Sequence, residues 1–248
     1  MSSPTVWAPY MHWAKIHARV RYDLTGSNLL PCTLDDLPGA SEALQLQGPN
    51  DEGYAPLVEA IAQRYGVAAE RVCTATGASG ANFLTLAALT RPGDEVVIER
   101  PTYDPLIGAA RLHGLAVRRF DRTFEDGYQP DPERITAAAS PRTRLIVLAN
   151  LHNPSGVLVD PERLAAIGEV AEQVGARVLV DEVYLETVYD RPQAPVATAS
   201  DTFISTNSLT KSFGLAGLRC GWAIAEPGVA EAIRRTRDVV DAVGSSTG

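Results

Sequence analysis

Seven short apolar, β-branched runs recur along the chain with longer stretches between them, and this alternation restricts the fold more than any other feature. The runs are RVCTAT (71–76), DEVVIE (94–99), LAVRRF (115–120), RLIVLAN (144–150), RVLVDE (177–182), TFISTNS (202–208) and CGWAIA (220–225). Helix-like segments lie between most of them, among them GANFLTLAALT, YDPLIGAARLHG and DPERLAAIGEVAEQVG. The last opens with Asp160 as N-cap and Pro161 in its first turn, and closes at Gly175. Near-continuous apolar strands alternating with helices predict an α/β three-layer sandwich, a mainly parallel seven-stranded sheet covered on both faces. Only the glycine-containing residues 209–219 separate the last two runs. That is short for a crossover helix and lets the final strand run antiparallel.

Composition narrows the function classes. The chain has 248 residues, 45% of them apolar and 21% charged, and a net charge of −8. Such an acidic balance argues against a sequence-independent grip on nucleic acid or on an anionic membrane, both of which need basic patches. No stretch of about 18 apolar residues occurs, and the N-terminus lacks a basic start followed by an apolar core, so a soluble cytoplasmic protein is expected. Cys32, Cys73 and Cys220 stand in no metal-binding spacing and are expected to be reduced and packed. Before residue 55 the pattern is broken by LPGA and QGPNDEGY, which suggests an arm rather than a separate core. The expected division is therefore an arm or loop region at 1–54, the sheet-forming domain at 55–226, and the start of a further helix at 227–248.

In a doubly wound sheet ligands gather at the carboxyl ends of the strands, so the residues after each run carry the chemistry. TGASGAN after the first run is a glycine-containing turn feeding a helix N-terminus, suited to a phosphate. A plain tight turn would look the same, and the letters also resemble the T-G-x-x-x-G turn of short-chain dehydrogenases. The latter needs a Y-x-x-x-K pair, and neither lysine has one: Met11 stands four before Lys15, and Asn207 four before Lys211. LHNPSG presents Asn153 before a proline that favours extended backbone, as either a turn or a ligand contact. DEVY puts Asp181 at the end of an apolar strand, where a carboxylate needs a cation or several hydrogen bonds.

The stretch after the sixth run, SLTKSFGLAGLRCGW, holds one of only two lysines in a chain otherwise supplied with arginine. A desolvated lysine can lose its proton and attack a carbonyl, which guanidinium cannot. Ser208 to Lys211 also spells the S-x-x-K of penicillin-recognising enzymes, but the chain has no K-T-G element, and SDT at 200–202 lies upstream of the serine.

Taken together, HNPSG, DEVY and SLTKSFGLAGLRCGW, in that order, resemble the fold type I pyridoxal-phosphate enzymes, specifically the class I and II aminotransferases. The resemblance runs from about residue 20 to the end and implies that family's large, cofactor-binding domain. It implies that Lys211 forms a Schiff base with pyridoxal 5′-phosphate and later moves the proton between substrate Cα and the cofactor. Asp181 would hold the pyridine nitrogen protonated, Asn153 and Tyr184 would bond the ring's phenolic oxygen, and Tyr103 would stack on the ring. The phosphate would rest on Gly77, Ala78 and Ser79, the Ser208 hydroxyl and the Arg219 guanidinium. Gly26 falls where the family's substrate loop lies, and Asn153 would also face the substrate. The implied activity is amino transfer between an amino acid and a 2-oxo acid, by a homodimer with its site near the subunit interface.

Two departures stand out. Many relatives carry a tyrosine shortly before a G-x-x-x-L element, and here Gln47 and Gly48 stand near that place, with Tyr54 just after Gly53. Relatives also continue into a small domain that supplies an arginine for the substrate carboxylate, whereas this sequence ends after VVDAVGSSTG, so it is expected either to be a fragment or to lack that half, the small domain being missing from it. Rival readings are a lyase, synthase or racemase on the same scaffold, and a non-catalytic PLP-binding scaffold or regulator.

Overall fold

The seven apolar runs form seven strands: β1 (Val72–Thr76), β2 (Glu95–Arg100), β3 (Ala116–Asp121), β4 (Thr143–Ala149), β5 (Arg177–Asp181), β6 (Phe203–Ser208) and β7 (Cys220–Ile224). The computed structural model describes residues 6–17, 21–22, 26–28, 31–43 and 48–244. All seven strands join one sheet in the order β1-β7-β6-β5-β4-β2-β3. The pairs from β6 through β3 are parallel, while β7 runs antiparallel to both of its neighbours. The reason is the short link: between β6 and β7 lies only a 3-10 turn at Ala216–Leu218, too little chain for a parallel return.

Register matters more for function than strand count. Ala149 pairs with Asp181 and Asp181 with Thr206, so β4, β5 and β6 end together at one edge. Because β7 is reversed, its first residues come to the same edge, with Cys220 opposite Thr76 and Gly221 opposite Ser208. The end of β1, the end of β6 and the start of β7 thus converge.

The helices are α1 (Pro9–His17), α2 (Ala40–Ala43), α3 (Ala55–Tyr65), α4 (Gly77–Leu89), α5 (Asp104–Leu112), α6 (Pro132–Ala138), α7 (Pro161–Val174) and α8 (Pro227–Val240). Alternate strand residues face opposite layers. Val96, Ile98, Leu145, Val147, Leu179 and Ile204 pack with α4, α5 and α8. On the other face Val97, Ile146, Leu148, Val178 and Val180 pack with α6 and α7. Each such fully buried aliphatic side chain is worth about 1.5–3 kcal/mol, so burial on both faces is the main stabilising term. A third cluster seats α3 against Val72, Trp222 and Ile224. Val229, Ala230 and Ile233 of α8 belong to the first cluster, so residues 227–240 pack on the sheet itself.

One local expectation needs correction, that of Cys32, and two others gain detail. Asp160 takes the N-cap position of α7 but its side chain makes no capping bond, while Gly175 closes the helix in the left-handed conformation at φ 71°. Cys32 is exposed; only Cys73 and Cys220 are packed, and all three are free thiols. The region before residue 55 contains the nine-residue α1, docked on α5 through a bond from the Tyr10 N–H to Asp104 Oδ2 at 2.6 Å. Its periodicity was hidden because Tyr10 and Ile16 are exposed, leaving no continuous apolar stripe to read. Gln47 lies outside the described residues. Among the described residues no helix is long and apolar enough to cross a membrane, and no cluster of three His, Cys, Asp or Glu is placed to hold a metal.

Candidate active site at the carboxyl edge of the sheet

Asp181 closes β5 at the centre of the sheet and is only 6% exposed. Both of its oxygens are engaged: Oδ2 accepts from Asn82 Nδ2 at 2.8 Å and Oδ1 from the Val183 N–H at 3.2 Å. Burial pushes its carboxyl above the ordinary aspartate value, and the Asn82 amide, the Val183 N–H and the Lys211 charge pull it back down. Its carboxyl group is therefore held in a low-dielectric site by two neutral donors, where a cationic partner would favour its charged form.

Lys211 follows β6 on the loop to β7 and is half-buried. Its Nζ lies 5.7 Å from the centroid of the half-buried Tyr184 ring. Desolvation lowers the amine below the ordinary lysine value; Asp181 opposes this and Arg219 reinforces it. The amine donates to Ser27 Oγ at 2.7 Å and Asn28 Oδ1 at 2.8 Å. These two residues went unread in the sequence, because Ser and Asn in an irregular segment carry no signal by themselves. Gly26, next to them, is exposed, and a Cβ there would meet nothing within 4 Å, so no close approach requires glycine at that position.

A third cluster forms where β1, β6 and β7 converge. Gly77 and Ala78 are buried at the start of α4, and Ser79 is exposed beside them. Arg219 sits in the left-handed region at φ 54°, an unusual place for a long side chain. This turn brings its guanidinium over the helix start: a Cβ on Gly77 would lie 2.6 Å from Arg219 Nη2. Gly221 is closer still, since a Cβ there would lie 2.3 Å from the Gly77 carbonyl carbon. Ser208, 1% exposed, closes the cluster from the end of β6. Free N–H groups at a helix start, a guanidinium and a hydroxyl together make an anion cradle.

Tyr103 precedes α5 and is half-buried; burial raises its phenol, with a contact to Ser79 acting in the opposite direction. Its hydroxyl reaches Met11 Sδ at 3.4 Å. Asn153 is half-buried on the turn after β4. The neighbouring His152, which sequence reasoning passed over, braces both loops: its Nε2 lies 3.1 Å from the Pro101 carbonyl and its Nδ1 2.6 Å from Ser155 Oγ. Behind it Arg122 and Glu99 form a fully buried ion pair at 2.6 Å. Burial pushes Glu99 up to about 7 against the pull of Arg122, and burial together with Arg122 holds His152 down to about 4. No local sequence pattern marks these three residues, because each acts on a loop remote in the chain.

An anion cradle at one end, a buried carboxylate at the other and a desolvated amine in their field suit the cofactor implied by the sequence resemblance, which has a phosphate arm, a basic ring nitrogen and an aldehyde. Glycine at 221 lets β7 meet the Gly77–Ala78 backbone, and glycine at 77 lets the Arg219 guanidinium lie over the helix start, so both close the cradle.

A family model described as aminotransferase class I and II matches residues 23–247. The chain is 38% identical over 170 residues to the capreomycidine synthase of Streptomyces vinaceus, covering 67% of this chain and 43% of that protein. It is 30% identical over 188 residues to a probable aspartate/prephenate aminotransferase of Thermus aquaticus, covering 73% of this chain and 49% of the relative. Among solved structures, a PLP-dependent aminotransferase from Streptococcus suis 89-1591 superimposes with a TM-score of 0.88 at 30% identity, over 99% of this chain and 68% of that one. The chain spans about half the length of the curated relatives it matches.

Proposed function

The chain belongs to the class I and II aminotransferases, and from that premise we propose that its sheet edge holds pyridoxal phosphate and transfers an amino group between an amino acid and a 2-oxo acid. The observation that carries the reading is the gathering of Lys211, Asp181 and the Arg219–Gly77 cradle at one edge of the sheet. When bound, the cofactor supplies an aldehyde that condenses with amines and a ring that accepts the electron pair left when the bond from Cα to hydrogen breaks.

The protein's own groups do the rest. Lys211 Nζ, with its proton affinity lowered by burial, would be the amine placed to meet the aldehyde and the base placed to take the proton from substrate Cα. Asp181 would hold the proton of the ring nitrogen, and the low dielectric around it would strengthen that interaction once both groups are charged. Gly77, Ala78, Ser79, Ser208 and Arg219 grip the phosphate and so fix where Lys211 meets its target. Tyr103 would cover one face of the ring, and Asn153 and Tyr184 would bond its phenolic oxygen. Ser27 and Asn28, already on Lys211 Nζ, join Gly26 in the segment that faces substrate. A homodimer is part of the same reading, supported by the exposed Trp7, Tyr10 and Ile16 around α1.

A second reading, synthase chemistry on the same scaffold, is favoured by the 38% identity to a capreomycidine synthase. Both readings require Lys211. Purified protein mixed with the cofactor is expected to develop a visible absorbance band that Lys211→Ala abolishes; an unchanged spectrum in the variant overturns both. Screening amino acids for conversion of the bound cofactor to its amine form then separates transfer from synthase chemistry.

A further inference from the structure

Asn82 lies inside α4, 3% exposed, where the helix otherwise buries Ala81, Leu84 and Leu86. A polar amide in such a place must satisfy its groups within the protein or destabilise it. Its Nδ2 donates to Asp181 Oδ2 at 2.8 Å, and its Oδ1 accepts from Thr206 Oγ1 at 2.6 Å. Thr206 is fully buried on β6, in register with Asp181 on β5.

The two bonds fix each other. Turned the other way, the amide would set its oxygen against the Asp181 carboxylate at the same distance, two negative oxygens in a low-dielectric site. The Thr206 hydroxyl has one hydrogen, and Asn82 Oδ1 at 2.6 Å is a better acceptor for it than the Val180 carbonyl at 3.5 Å. Thr206 therefore holds the amide oxygen on its own side and leaves the N–H facing Asp181. Helix α4 thus carries an anion cradle at its first turn and, one turn later, a donor to the carboxylate at the other end of the site.

We propose that Asn82, locked by Thr206, is a positioning residue that keeps Asp181 ionised and fixes the plane of its carboxylate toward the ring nitrogen. The inference rests on the cofactor reading above. Besides Asn82 and the Val183 N–H, Asp181 feels the charge of Lys211, and it acts in turn on the titration of Tyr103 and of the adjacent Glu182. None of these is a hydrogen bond to its Oδ2, so removal of Asn82 leaves that oxygen without its amide donor.

The decisive variants are Asn82→Leu, which suits the apolar helix interior, and Thr206→Val, which keeps the threonine's shape. Two readouts apply: the titration of the Asp181 side-chain carbon by NMR in the protein before loading, and the ring-nitrogen shift of 15N-labelled pyridoxal phosphate afterwards. Asn82→Leu is expected to raise the Asp181 midpoint by about one unit, the tenfold change expected on losing a hydrogen bond to a charged group. The ring-nitrogen signal should move toward the unprotonated position. Thr206→Val is expected to shift both readouts in the same direction, and Thr206→Ser to restore them. An unchanged Asp181 midpoint in folded Asn82→Leu overturns the proposal. Should that variant not fold, an unchanged midpoint in Thr206→Val overturns it instead. A wild type that takes up no cofactor would refute the functional reading, while the Asp181 titration before loading would still decide the coupling to Asn82.

Discussion

Replacing Gly221 by alanine adds one methyl group at the point where β7 meets the first turn of α4. The new Cβ would stand 2.3 Å from the Gly77 carbonyl carbon, 2.6 Å from Gly77 Cα and 2.7 Å from the Ala78 nitrogen. Non-bonded carbons settle at about 3.5–4.0 Å, so strand and helix must part by roughly 1 Å. Every obstructing atom is backbone, and no side chain can swing aside. Overpacking of this kind costs about 1–3 kcal/mol, and the rigidity of both elements puts Gly221→Ala at the upper end, around 3 kcal/mol. Arg219 is two residues away, and its guanidinium already touches the place a Gly77 side chain would fill. A displacement of about 1 Å in a preorganised site is of the size that costs ~100-fold. Urea unfolding with a parallel titration of pyridoxal phosphate measures both effects. Gly217→Ala on the same loop is the control, because a Cβ there meets nothing within 4 Å. Equal unfolding midpoints and equal cofactor affinities for the two variants would refute the reasoning.

Arg122→Ala strands the Glu99 carboxylate at 0% exposure and should lower the unfolding free energy by about 3–5 kcal/mol, with much of the loss recovered in Arg122→Met/Glu99→Met. A loss below about 1 kcal/mol would show that Glu99 does not need its partner. His152 is held down to about 4, so the folded protein resists a proton that the unfolded chain accepts near 6.5. Stability from this group is present above about pH 6.5 and is lost as pH falls toward 4. Measured against His152→Phe, wild type should lose about 2 kcal/mol between pH 7 and pH 5, and parallel pH curves for the two proteins would dismiss the brace.

Much of the site could be read along the chain because its members sit where strands end. Asp181 closes an apolar run, Asn153 precedes a proline after another, and Lys211 is one of two lysines among many arginines. Each stands out against its immediate neighbours. Asn82, Thr206, His152 and the pair Glu99–Arg122 do not, since each finds its partner across the fold, at separations from 23 residues for the ion pair to 124 for Asn82 with Thr206. Ser27 and Asn28 reach Lys211 across 184 and 183 residues. A polar residue inside an amphipathic helix looks like a surface position until the helix is docked.

The sequence by itself determined the strand and helix alternation, the short link that reverses β7, and the identity of the groups at the strand ends. These are local consequences of burial pattern and chain length. Only the tertiary structure decided which end of each strand meets which, because register fixes that Thr76, Ser208, Asp181 and Gly221 share one edge. It also decided the state of the groups. Whether Asp181 stays charged and Lys211 sheds its proton depends on desolvation and on partners brought in by packing, and neither is a property of any short stretch of chain.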